Sequence, residues 1–125
     1  MSMTQLKPAA TYPAIVGRIL EARRREMNLD QSDLAKAVGV AQSTWSRAEH
    51  GTVAISVEQL AKAARAIKLS PGQLLTQADT AAQALTARGI RVETERVEDP
   101  LKMGLLLVGA VALTALVVLA LARGR

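Results

Sequence analysis

The side chains best suited to recognition chemistry are Gln42, Ser43, Thr44, Ser46 and Arg47, within the run QSTWSRAEH. If Trp45 and Ala48 mark the inner face of a helix, these polar side chains are left pointing outward. A glutamine amide can hydrogen-bond two atoms of an adenine edge, and a guanidinium two atoms of a guanine edge, in a groove wide enough to admit a helix. The same residues would also suit a solvated surface, so their meaning depends on the elements that carry them. No comparable set points to catalysis. The chain has no cysteine, and His50 is its one histidine. That excludes thiolate chemistry and a disulfide scaffold, and leaves no basis for a His-based zinc site. There is no phosphate-binding glycine loop and no nucleophile beside a base. The reading is therefore of a non-enzyme with no cofactor and no metal.

The elements that must position these residues are short helices. After Pro13 the spacing predicts a helix over Ala14–Met27, with Ile15, Ile19 and Leu20 inward and Asn28 stopping it. Asp30 reads as an N-cap, with Asp33 near the positive end of the helix dipole. The second helix is Gln31–Val38 and ends at Gly39, a residue free to take the left-handed turn. The third runs Gln42–Glu49 and stops before Gly51. Ser56 caps a fourth, with Gln59 in the capping-box position. Ser70-Pro71 opens a fifth, anchored by Leu74 and Leu75 and prolonged by an Ala-rich stretch toward Gly89. Helices two and three with a glycine between them make a helix-turn-helix, which crosses steeply. Leu34, Val38, Val40, Trp45 and Ala48 then face the core, and Ala35 must be small because helix three passes over it. Residues 1–11 lack periodicity and read as a flexible N-terminal tail. Residues 90–99 (IRVETERVED) alternate apolar and charged side chains, which fits a short strand or an extended linker.

At the level of whole motifs, residues 14–76 resemble the phage-repressor and Cro type of helix-turn-helix domain, the XRE family. The text that carries the likeness is RILEARRREMNLDQSDLAKAVGVAQSTWSRAEHG followed by SVEQLAKAARAIKLSPGQLL. The resemblance implies that helix three is a recognition helix lying in the DNA major groove. It implies base contacts from Gln42, Ser43 and Arg47, to which the outward-facing Thr44 is added. It also implies phosphate contacts from Gln31, His50 and Thr52, and an interior salt bridge between Arg24 and Glu49. Two features depart from the family pattern. The loop Thr52–Ile55 carries no cation, where tight DNA binders often place one, and each missing phosphate contact weakens binding. Trp45 stands at a core position usually held by Ile or Val, beside a small Ala48 where Leu or Ile is usual. The exchange roughly conserves volume.

The 125-residue chain has a net charge of +5, unevenly spread. Residues 1–77 hold ten cations against six acids, residues 78–99 three against five, and residues 100–125 three cations and no acid. From Met103 to Ala122 there are twenty residues without a charge, enough helix to span roughly 30 Å, the thickness of a bilayer's hydrocarbon core. The full reading is all-α. A tail occupies 1–11, a five-helix domain 12–77, a helical extension and charged linker 78–100, one transmembrane helix 101–122, and a short tail 123–125. More cations precede the span than follow it, which places the N-terminal domain in the cytoplasm of a single-pass inner-membrane protein.

The expected function is a membrane-anchored, sequence-specific DNA-binding regulator. Its expected partners are double-stranded DNA, the lipid bilayer and a second copy of the chain, a homodimer formed through helix five or its extension. A different class of function shares the same plan. It resembles the bacterial cell-shape protein RodZ, a membrane scaffold whose helix-turn-helix binds protein, although here only three residues follow the span. A third reading is an antitoxin-like subunit whose Gly/Ala-containing span pairs with a membrane protein.

Overall fold

The computed structural model describes residues 9–95. The predicted span over 101–122, the tail 123–125, the last five residues of the linker (96–100) and residues 1–8 of the N-terminal tail lie outside the described residues. Among the described residues, no helix is long and apolar enough to cross a membrane. The elements run β1 (Ala9–Thr11), α1 (Tyr12–Glu26), α2 (Gln31–Val38), α3 (Gln42–His50), α4 (Val57–Ala66), α5 (Pro71–Ala87) and β2 (Arg91–Glu93).

Each boundary has a local cause. Thr11 caps α1, its hydroxyl accepting from the Ala14 N–H at 3.1 Å. Asp30, Ser56 and Ser70 each close a reciprocal capping box, with Asp33, Gln59 and Gln73 respectively. Such boxes satisfy backbone donors that a helix start leaves open. The chain leaves α1 through Asn28 at φ 57° and leaves α2 through Gly39 at φ 86°. Both are left-handed conformations that Asn tolerates and Gly adopts freely. The Asp30 carboxyl is held below the usual carboxylate range, chiefly by the Ser32 hydroxyl and then by the Asp33 N–H. Its cap is therefore complete above the ordinary Asp value and is lost as pH falls through the depressed one.

Helix α1 is the centre of the packing, lying against α3 on one side and α5 on the other, while α2 rests on α3 and α4. Ile15, Ile19, Leu20, Leu34, Trp45, Ile67, Leu74 and Leu85 are fully buried. Of the two leucines expected to anchor α5, only Leu74 turns inward; Leu75 is exposed, because adjacent helical residues point about 100° apart. The approach of α1 to α3 depends on Gly17. A Cβ there would fall 2.3 Å from the Glu49 carbonyl oxygen and 2.7 Å from that of Ala48. Only a residue without a side chain lets the two backbones meet.

The all-α expectation is corrected to mostly helical, and of the predicted N-terminal tail only residues 9–11 are described. Ala9–Thr11 and Arg91–Glu93 form a two-stranded parallel ladder, with Ala10 opposite Val92. Ala10 and Thr11 are buried in it. The molecule is mostly helical, with a short strap that ties the segment before α1 to the segment after α5. Tyr12 adds a second tie, its hydroxyl donating to the Asp79 carboxylate on α5. Burial, with that carboxylate's hydrogen bond and charge, pushes the Tyr12 phenol up to about 12.

Two outcomes follow. A fragment ending at residue 88 loses β2 and the half-buried Ile90 and Val92. It should be less stable than a 1–95 fragment by roughly 2 kcal/mol in urea unfolding. Tyr12 has a raised pKa, so its contribution is complete below the ordinary tyrosine value of about 10 and is lost as pH rises toward 12. Thermal melts between those values should show a decline that Tyr12→Phe removes.

Candidate nucleic-acid interface

The site is built from α3 outward and from the Glu49 carboxylate inward. Glu49 is fully buried near the end of α3. Its Oε2 accepts from Arg24 Nε at 2.8 Å and from Trp45 Nε1 at 2.7 Å. Its Oε1 accepts from an Arg24 terminal nitrogen at 3.1 Å and from Gln31 Nε2 at 3.0 Å. The other Arg24 terminal nitrogen donates to the Leu29 carbonyl at 2.9 Å. Arg24 comes from α1, Leu29 from the turn after it, Gln31 from the first position of α2, and Trp45 from α3 itself. One carboxylate thus joins three helices with every acceptor direction filled, the condition for a buried charge to be tolerated. Hydrogen bonding to Glu49 raises the Arg24 pKa further, against an opposing effect of burial.

Trp45 is buried against the core, 1 % exposed. Its ring fills volume and its N–H meets the carboxylate one turn later. A buried indole donor usually finds such a partner. The sequence reading placed Trp45 inward but missed the hydrogen bond. The spacing of four between Trp45 and Glu49, which stacks them on one helix face, was the available signal. The role of Gly17 was also missed. Its signal was a lone glycine inside an otherwise helical pattern.

With its inner face fixed, α3 turns Gln42, Ser43 and Arg47 to solvent, while Thr44 and Ser46 are half-buried. Ala41 stands at the N-cap of α3 and supplies no side-chain hydrogen bond. The helix start therefore keeps its partial positive charge and backbone donors facing outward. His50 is exposed at the other end, where its Nδ1 donates to the Ser46 carbonyl at 2.7 Å and leaves Nε2 outward. The Thr52 hydroxyl donates to the Arg47 carbonyl at 3.3 Å. Gln31 is half-buried with its amide engaged by Glu49, so its side-chain donor faces the interior network. The structure thus brings Gln42, Ser43, Arg47 and His50 to one exposed helix. It brings Arg24, Gln31, Trp45 and Glu49 together beneath it. Ala35 is buried, and Gly39 turns the chain between α2 and α3.

That geometry agrees with a comparison to known families. A family model described as helix-turn-helix matches residues 19–74, from within α1 to the first turn of α5. Over residues 19–74 the chain is thus similar to XRE-type helix-turn-helix domains. Domains of this family belong to DNA-binding regulators, which are typically not enzymes. No curated protein and no solved structure matches the chain. Among the described residues, no group of His, Cys, Asp or Glu could hold a metal ion.

Trp45→Phe keeps most of the ring volume and deletes one donor to Glu49. It should destabilise a 1–95 fragment by about 1–3 kcal/mol. Arg24→Met should destabilise by more, about 3–5 kcal/mol, because it strands the buried carboxylate. Urea denaturation of both variants beside wild type tests the ordering.

Proposed function

We propose that this protein is a membrane-anchored transcriptional regulator that reads double-stranded DNA with α3 in the major groove. The observation that carries the reading is the division of α3 into two faces. One face is bonded to α1 and α2 through Glu49. The other presents Gln42, Ser43 and Arg47 with no structural duty. Direct readout needs such a rigid helix with free polar side chains. Gln42 and Arg47 take the base-reading roles, with Ser43 and Thr44 beside them. The open N-terminus of α3, His50 and Thr52 serve phosphates, and Gln31 positions the helix through Glu49. The protein acts as a homodimer, matching two-fold half-sites. The uncharged stretch Met103–Ala122 holds it in the inner membrane, with the DNA-reading domain in the cytoplasm. Tethering raises its local concentration on DNA near the membrane.

One observation favours the scaffold reading instead. The loop Thr52–Ile55 after α3 carries no cation, and a protein partner would not require one there. Titration against DNA separates the two. Fragments from the protein's own genomic neighbourhood should bind a 1–95 fragment saturably, with affinity falling as salt rises. Gln42→Ala/Arg47→Ala should reduce specific binding by at least about a hundredfold, since each bidentate contact discriminates by about 1–3 kcal/mol. Binding that matches random DNA and ignores the double variant would place the scaffold reading first.

A further inference from the structure

We propose that the outer edge of β2 is a self-pairing site, at which two copies of this chain join their β2 strands antiparallel about a two-fold axis through Val92. The inference names the contact for the homodimer proposed above and rests on that part of the reading. A parallel ladder uses one edge of each strand. Among the described residues, β2 has β1 as its single strand neighbour. Among the described residues its other edge pairs with no strand, which makes it a template for another one.

The side chains determine which strand fits. Arg91 and Glu93 are exposed on the outer face, paired to each other at 2.6 Å, while Val92 turns inward against the core. Charged residues on an edge ordinarily repel a second copy. Here the triplet Arg-Val-Glu reverses its charge order when read backwards. An antiparallel second copy centred on Val92 therefore sets Arg91 opposite the partner's Glu93, and Glu93 opposite the partner's Arg91. Directly opposite residues of unlike charge stabilise an antiparallel pair and like charges destabilise it. The resulting cluster alternates two guanidinium groups with two carboxylates. The contact is isologous, as a closed dimer requires. Three residues a side make a small contact. It suits copies already held close, on adjacent half-sites or in one membrane.

The test uses the full chain in detergent with two distinguishable tags. It measures co-isolation, and sedimentation up to about 0.1 mM, a range that captures weak contacts. Wild type should self-associate. Arg91→Glu and Glu93→Arg should each weaken self-association by at least about tenfold, because each sets like charges opposite one another twice. Mixed together, the two single variants should recover a one-to-one complex. Neither variant retains the Arg91–Glu93 pair within its own chain, so the recovery can arise only between chains, and it also proves both folded. Wild type that stays monomeric, single variants that associate like wild type, or a mixture that fails to pair would each overturn the proposal. Binding to a single DNA half-site, followed in parallel, should be unchanged, since β2 packs on β1 and α5. Loss of half-site binding by wild type itself would count against the DNA reading and leave the β2 result standing.

Discussion

Glu49 is a carboxylate taken fully out of water, and the position of α3 follows from how that charge is satisfied. Four donors converge on it from three helices. Removing water from an ion costs several kcal/mol, and only good geometry with every acceptor direction filled offsets it. The requirement is directional in a way that apolar packing is not. Leucine against isoleucine tolerates a small slide of one helix along another. A carboxylate shared by a guanidinium, an indole and an amide does not. The exposed face of α3 thus inherits its placement from a polar network behind it, while Gly17 sets how closely α1 can approach.

This arrangement separates two tasks that a nine-residue helix must combine. Trp45, Ala48 and Glu49 hold α3 in place. Gln42, Ser43 and Arg47 hold nothing and are open to substitution without disturbing the fold. On the proposed reading, specificity changes at those positions while the network beneath stays intact. The cation-free loop after α3 fits the same economy of contacts. On the proposed reading, less affinity comes from phosphates, so a larger share must come from base edges or from the proposed tether.

Much of this was legible in the sequence because it is local. Asp30, Ser56 and Ser70 announce helix starts with their own side chains, and Gly39 announces a turn by its conformational freedom. The pairing of Arg24 with Glu49 came from family resemblance, because nothing in their separation along the chain implies contact. The strands were legible only in part: the alternation over 90–99 fits β2 or an extended linker, and nothing marks β1. Three residues give no reliable period, and the partner of Ala9 is Arg91, near the other end of the domain. Leu75 shows the same limit on a helix. Two adjacent leucines look equivalent in sequence, and the burial of one over the other is settled by the direction of α5 against α1.

The β1–β2 ladder also bears on the order in which the chain folds. Its register joins residue 9 to residue 91, whereas the contacts between α1, α2 and α3 close much shorter loops. Pairing across a long loop must await the ordering of what lies between. The ladder therefore carries a larger loop-closure cost than the contacts among α1, α2 and α3. The seam of the domain lies where both of its outer segments depart.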